Sequence, residues 1–229
     1  MQLHQWVNLT SDGRARAMKY SFGFGTANTL AVQGDDGRWT VISPCVGGPA
    51  EALDALAEEG EVAALVAPNA FHHLGQPAWR ARFPNAVSYA HEGALERLGS
   101  KAKGVPFRPI SELAVPSGIK FWKPEGMKAP DLLARFAVGT DTVWFGGDLI
   151  SNTLAEETAL PVRIIFSLLG GGAGYRFNPV PSMVYLKDKA AWKASVRAEV
   201  EAAPPTLLLP AHGEPVRDDV KGKTVGILA

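Results

Sequence analysis

The sequence has few cysteines, and this limits the kinds of site it can build. Cys45 is the only cysteine among 229 residues, which excludes an internal disulfide and any zinc site made of several cysteines. A single free thiol fits a reducing compartment. We therefore expect a cytoplasmic protein.

An excess charge of either sign and a long apolar segment are also absent from the sequence. Lysine plus arginine and aspartate plus glutamate both number 23, so no net field attracts nucleic acid or an anionic membrane. No apolar run approaches the roughly 20 residues that span a bilayer, and the first twenty residues contain no apolar core of signal-peptide length. We expect a soluble protein without nucleic-acid or membrane partners, and its oligomeric state stays open.

The composition is that of an ordinary globular protein, with 46% apolar and 20% charged residues, and it supports a sizeable core. No internal repeat or low-complexity linker divides the chain. We therefore predict one domain over residues 1–229.

The order of apolar runs, turn residues and helical periodicity predicts a mixed α/β chain. Strands joined by the Gly34–Gly37 turn are expected in 24–46, and helices and strands alternate between 49 and 98. A second group of strands is expected over 119–122, 132–138 and 142–145. The segments 151–169, with a break at Pro161, and 187–202 predict helices, and 206–209 predicts a last buried strand.

Three histidines and one acid stand where predicted strands end. His72 and His73 follow the strand at 62–66, Asp148 follows the strand at 142–145, and His212 follows the strand at 206–209. Open α/β sheets build their sites at the carboxyl ends of strands, and imidazole and carboxylate are ligands for zinc, iron or manganese. Taken singly, each residue is more ordinary, and Asp148 would serve as a turn or helix cap.

Read in order, these segments resemble the metallo-β-lactamase superfamily from about Phe24 to Val216. The segment VAPNAFHHLGQ resembles its H-x-H-x-D-H motif, VWFGGDLI its aspartate turn and LLPAHGEPV its final histidine. The resemblance implies an α/β (α+β) fold, a four-layer αββα sandwich. It also implies a metal-dependent hydrolase acting on a small molecule.

The chain departs from the family motif at several ligand positions. Pro68 and Ala70 stand where the first two histidines belong, and Gly126 stands at or near another, so the first metal of the two-metal members should be absent. The second site corresponds to His72, His73, Asp148 and His212, with His72 in place of an aspartate. Ser43-Pro44 replaces an aspartate that helps to orient the histidine motif, a change expected to weaken metal affinity by roughly 10- to 100-fold.

The resemblance therefore predicts one divalent ion, with zinc first and iron or manganese as alternatives. His73, His212 and Asp148 are the expected ligands, and His72 is a fourth ligand or a general base. His72 and Asp148 are the candidate catalytic residues. With three neutral imidazoles and one carboxylate the bound ion would leave a local charge of about +1, which suits an anionic substrate or hydroxide.

Two other interpretations stay open. In one, the chain keeps the fold as a non-catalytic or ligand-binding protein without metal, and the four residues satisfy one another and the backbone. In the other, a mononuclear iron performs redox or oxygen chemistry.

The remaining features are assigned no chemistry. The glycine run at 170–174 lacks the residues of a phosphate-binding loop and is expected to be a flexible loop. Tyr175, Arg176 and Phe177 would be able to touch a substrate there, but residues of these types are common in loops without function. His91 and Cys45 also receive no role.

Overall fold

A computed structural model describes residues 1–23, 25–102, 104–115, 118–157 and 159–229. Phe24, where the predicted hairpin and the resemblance begin, lies outside the described residues. The chain divides into two compact units, Met1–Ser21 with Asn28–Ile119 and Phe22–Ala27 with Lys120–Ala229. The single domain over 1–229 stays a prediction.

The described residues include a seven-stranded sheet whose strands follow one another in chain order, and all of it except Thr26 and Ala27 belongs to the first unit. The strands are β1 Trp6–Asn8, β2 Ala15–Ser21, β3 Thr26–Gln33, β4 Trp39–Ile42, β5 Val62–Ala67, β6 Val87–Ala90 and β7 Phe107–Pro109. The pair β3–β4 is antiparallel, and β4 to β7 are parallel.

The predicted hairpin is confirmed as β3 and β4. Its turn is closed by backbone hydrogen bonds from Gly34 to Arg38 and from Gly37 to Gly34, and Gly37 has a φ of 75°. Glycine adopts this left-handed conformation without the steric cost that a side chain would add. The Asp-Gly turn therefore sets the register of the hairpin.

Helices connect the parallel strands of the first unit, as the alternating sequence pattern predicts. Leu53 and Leu56 form the buried stripe of the first of these helices, and Trp79 fills the core from the second. The helices are α1 Ala50–Ala57, α2 Gln76–Arg82 and α3 Leu95–Lys101.

The second unit contains two smaller sheets in the part of the chain that the structure describes. Its strands are β8 Ile119–Trp122, β9 Leu133–Val138, β10 Asp141–Phe145, β11 Ile150–Thr153, β12 Gly174–Phe177, β13 Leu207–Leu209 and β14 His212–Gly213. One sheet has the order β13-β10-β9-β8 and the other β12-β11-β14. The neighbours β10 and β13 are parallel, so their carboxyl ends lie at the same edge.

Four helices accompany these sheets in the described residues, and a core of large side chains joins them. Trp144 and Trp192 are fully buried in this core with Tyr185 and Val196. Removing a tryptophan from such a core typically costs about 3–5 kcal/mol. The helices are α4 Leu160–Leu168, α5 Pro179–Tyr185, α6 Lys189–Ala202 and α7 Val220–Ile227.

The predicted helix over 151–169 is wrong in its first half. Residues Ile150–Thr153 form β11, and helix α4 begins only at Leu160, with Pro161 in its first turn. Proline is well tolerated there because the first turn leaves its backbone N–H groups unbonded. A short segment with apolar residues fits the periodicity of a helix as well as that of a strand. Residues 150–153 form a strand because they pair with β12 and β14.

No helix in the described part of the chain has the length and apolar character needed to cross a bilayer.

Candidate metal centre

Asp148 lies at the end of a tight turn that follows β10. Gly147 has a φ of 60°, and a Cβ there would lie 2.6 Å from Oδ2 of Asp131. Asp131 is fully buried, and this Oδ2 accepts a hydrogen bond of 2.8 Å from the backbone N–H of Asp148. A glycine is therefore required for the close approach that fixes Asp148.

The carboxylate of Asp148 is buried and held on both oxygens. The hydroxyl of Tyr185 donates a hydrogen bond of 2.9 Å to Oδ2, and Nε2 of His212 lies 3.3 Å from Oδ1. Asp148 is only 7% exposed. A buried carboxylate requires such partners because desolvation strongly disfavours the charged form.

His212 lies beside Asp148 because the two residues follow β13 and β10, which run parallel as neighbours in one sheet. Its Nδ1 lies 2.7 Å from the carbonyl oxygen of Thr26, and a carbonyl only accepts, so Nδ1 carries a proton. Phe22 packs edge-on against the ring, with the centroids 5.8 Å apart. The structure thus brings together the predicted site residues Asp148 and His212 at the carboxyl ends of two neighbouring strands.

Both ring nitrogens of His212 face oxygen acceptors, which a neutral imidazole with one N–H cannot satisfy. Either the ring is protonated or a cation lies between Nε2 and the carboxylate. Burial disfavours the imidazolium and lowers the pKa of His212. This effect is outweighed by the hydrogen bond and charge of Asp148, the Thr26 carbonyl and the charge of Asp131, so the pKa of His212 is raised. A second proton on the ring and a cation beside Nε2 are therefore alternative ways to satisfy this contact.

We expect His212 to stabilise metal-free protein at low pH. Because its pKa is raised, this stabilisation is complete below the ordinary value of 6.5 and is lost as the pH rises through the folded-state value. His73, whose pKa is lowered, contributes with the opposite sign. The free energy of unfolding of wild type minus that of His212→Gln, measured with chelator between about pH 5 and 9, should therefore decrease with pH. A pH-independent difference would contradict the assignment.

His72 is fixed in the loop after β5 by side chains of the first unit. The Asn69 carboxamide oxygen accepts hydrogen bonds from the backbone N–H groups of Phe71 and His72, at 2.9 and 3.2 Å. Nδ1 of His72 lies 2.7 Å from Oγ of Ser43, which in turn lies 3.1 Å from the hydroxyl of Tyr20. When Nδ1 donates to Ser43, Nε2 keeps its lone pair for a ligand.

Ser43, expected from the sequence to replace an orienting aspartate, thus makes an orienting contact of its own with His72. It has a φ of 56° and is almost completely buried. A serine hydroxyl does not carry the charge of an aspartate, so it positions the ring without raising its basicity as strongly. The support of His72 is changed and not absent.

His73 has different surroundings from its neighbour. Its Nδ1 lies 3.1 Å from the carbonyl oxygen of Ala70, so this nitrogen carries the proton and Nε2 is the remaining acceptor. Burial lowers the pKa of His73, the Ala70 carbonyl opposes this, and the charges of Arg97 and Lys101 add to the lowering. These surroundings favour the neutral ring over the charged one, and the role of His73 as a metal ligand stays a prediction.

Gly126 shows why no ligand occupies its position. Its φ is 73°, and a Cβ there would lie 2.2 Å from the carbonyl oxygen of Asp188. Its own carbonyl accepts hydrogen bonds from the N–H groups of Lys187 and Asp188. A histidine side chain at this point would displace the start of helix α6.

Several residues that position the site were not predicted from sequence. Asp131, Tyr185 and Thr26 contact Asp148 or His212, and none of them belongs to a recognisable motif. The one local signal is the position of Asp131 just before the buried strand β9, because an acid beside a buried strand is rarely buried unless its carboxylate has partners. Tyr185 and the carbonyl of Thr26 are identified only by tertiary contact.

The structure is similar to solved metallo-β-lactamases over nearly its whole length. It superimposes on TMB-1 with a TM-score of 0.63 at 15% identity, covering 98% of this chain and 96% of that one. For the metallo-β-lactamase from Pontibacter korlensis the TM-score is 0.61 at 14% identity, with 99% of both chains covered. For that from Hirschia baltica it is 0.60 at 14%, covering 98% of this chain and 97% of that one.

No protein-family model matches the chain, and no curated protein sequence does. The structural likeness confirms the predicted fold class.

Proposed function

We propose that this chain, which has the metallo-β-lactamase fold, binds one divalent metal ion through His72, Asp148 and His212 and hydrolyses a small molecule. Each of the three residues offers one ligand atom, an imidazole nitrogen or a carboxylate oxygen. Two imidazoles and one carboxylate form the ligand set of a catalytic zinc site, in which a fourth position stays open. Zinc therefore fits best, and iron or manganese would also be accepted.

The observation that carries the proposal is the position of His212 between two oxygen acceptors. Its Nδ1 is committed to Thr26, and its Nε2 faces Asp148 at 3.3 Å. The carbonyl contact fixes the ring orientation and leaves Nε2 as the coordinating atom, which is the usual arrangement of metal-binding histidines. A cation at this point would take the place of a proton on Nε2.

The residues around the ligands would hold this arrangement during catalysis. Tyr185 keeps Asp148 in place by donating to Oδ2, and Ser43 orients His72. When bound, a divalent ion supplies Lewis acidity and brings the pKa of water toward about 7. The sequence resemblance implies the half-buried His73 as a further ligand, and His72 as either a ligand or a general base near the reacting group.

A second candidate function is a non-catalytic scaffold, and one observation favours it. Asp148 and His212 contact each other directly, Tyr185 binds the other carboxylate oxygen, and the Thr26 carbonyl binds the other ring nitrogen. These groups are therefore paired without a metal. In that case the imidazolium and the carboxylate form a structural ion pair, and neither metal binding nor hydrolysis is expected.

Elemental analysis of the protein purified without added metal or chelator tests the proposal. We expect about one equivalent of zinc, iron or manganese in the wild type, and its loss in Asp148→Ala. His72→Ala and His73→Ala form a matched pair, since they are adjacent histidines. Loss of the metal in His72→Ala with retention in His73→Ala would assign His72 as the ligand, and the reverse result would assign His73.

Metal-loaded protein should then be screened against esters, lactones, thioesters and phosphoesters. Hydrolysis that is lost in Asp148→Ala would support an enzyme. Absence of metal from the wild type, even after reloading with zinc, would contradict the proposal and favour the scaffold.

A further inference from the structure

The three-stranded sheet of the second unit has one face in the core. Ile150 on β11 is buried there, and Tyr175 and Phe177 on β12 pack against the same core. Ile150 is paired with Phe177 across the two strands. Because side chains alternate along a strand, the residues between these positions point to the opposite face.

Ser151, Arg176 and His212 form one row on this opposite face. Ser151 is paired with Arg176 on β12 and with His212 on β14. Adjacent strands lie about 4.8 Å apart, so the backbones of Arg176 and His212 are separated by roughly 10 Å. Ser151 is small and buried between them, and an extended arginine side chain spans much of such a distance.

The side chain of Arg176 has a buried nitrogen whose N–H makes no hydrogen bond with the described residues. Its Nε is buried and has no hydrogen-bond partner among the residues that the structure describes. Gly172 lies close to the guanidinium, since a Cβ there would be 3.0 Å from Nη1. Arginine stays charged at all ordinary pH values, and an unsatisfied buried donor of this kind is costly. Arg14, Arg38 and Arg82, by contrast, each pair with an aspartate.

We propose that Arg176 binds an oxyanion of the substrate, a carboxylate or a phosphate, while the reacting group lies beside His212 and Asp148. This inference rests on the proposed function, because it places the substrate between the ion and the guanidinium. The planar guanidinium offers several N–H donors that match the two oxygens of such a group. Arg176 is then a specificity-determining residue that selects anionic substrates.

Anion binding to chelator-treated, metal-free protein tests this inference. Inorganic phosphate and acetate are titrated separately by NMR chemical-shift perturbation. Compared with wild type, we expect Arg176→Gln to weaken binding of the preferred anion at least about tenfold. Arg176→Lys should retain part of the affinity, because it keeps the charge and loses the two-pronged geometry. The anion with the greater loss identifies the group that the substrate carries.

Arg163→Gln is the matched control, since Arg163 is an exposed arginine of the same unit whose side chain donates to the carbonyl of Ala155. Its anion affinity should equal that of wild type. The inference would be overturned by any of three results: the same anion affinity in Arg176→Gln as in wild type, an equal loss of affinity in the Arg163 and Arg176 variants, or no measurable binding of either anion.

Metal content separates this inference from the proposed function. Arg176→Gln and Arg176→Lys should keep the wild-type metal equivalent, because Arg176 is not a ligand. If the wild type binds no metal but Arg176 is needed for anion binding, the proposed hydrolase fails and the anion site remains. If metal is bound and Arg176 has no effect on either anion, only the present inference fails.

Discussion

Replacing Gly213 with alanine is expected to lower the free energy of unfolding by about 3 kcal/mol. Gly213 has a φ of 102°, and a Cβ there would lie 2.0 Å from the carbonyl oxygen of Asn152 and 2.5 Å from the nitrogen of Thr153. These are backbone atoms, so they cannot move aside as a flexible side chain would. The β11–β14 pairing must therefore open.

The same substitution should also disturb the candidate metal centre. Gly213 directly follows His212, and the backbone N–H of Glu214 donates to the carbonyl oxygen of Asn152 at 2.8 Å. Loss of this pairing would release the strand that holds His212 against Asp148. We expect reduced metal content together with the loss of stability.

Chemical denaturation of Gly213→Ala beside Gly139→Ala measures the effect. Gly139 also has a positive φ, 56°, but its Cβ would meet nothing within 4 Å. Its substitution should cost only about 1 kcal/mol of backbone strain. Equal destabilisation of the two variants would show that the backbone overlap at Gly213 does not constrain the fold.

The second large expected effect is the loss of zinc-induced stabilisation in His212→Gln. A ligand at about 100 times its dissociation constant stabilises a protein by about 2.7 kcal/mol. For a chain of this size that corresponds to a rise in Tm of roughly 5–10 °C. Glutamine at this position removes the imidazole nitrogen that would coordinate the ion, so we expect little or no rise.

Thermal unfolding with buffered free zinc measures this shift, and each variant is compared with its own metal-free form. His91→Gln is the control, because His91 caps a short helix through its Nδ1 and the N–H of Gly93. It should show the wild-type zinc shift from a lower starting Tm. A wild-type shift in His212→Gln would place zinc binding elsewhere in the chain.

The support of the site differs from that of the family's motif in a way that bears on metal affinity. Ser43, which the sequence resemblance aligns with an aspartate, contacts Nδ1 of His72, while Asp131 holds the backbone of Asp148. A neutral hydroxyl beside one ligand makes it a weaker donor than a carboxylate would. If His72 binds the proposed ion, we therefore expect a weaker metal affinity than an aspartate at position 43 would give.

The ends of the buried strands were predictable because apolar runs and turn residues mark them locally. The strands that precede His72, Asp148 and His212 were all predicted within a residue or two, and the parallel pairing of β10 and β13 agrees with a shared edge. Strand β11 was not predicted, since four residues with mixed polarity satisfy either periodicity. Its partner β14 lies about sixty residues later in the chain, where no local pattern indicates it.

The mixed α/β pattern, the glycine turns and the candidate ligands could be predicted without a structure, because each depends on neighbouring residues along the chain. The atoms that those ligands contact became known from the folded structure alone. The contacts of Asp148 with Tyr185 and of His212 with Thr26 join residues 37 and 186 positions apart. The row of Arg176, Ser151 and His212 likewise depends on strand register, which is fixed by packing of the whole sheet and not by any one segment.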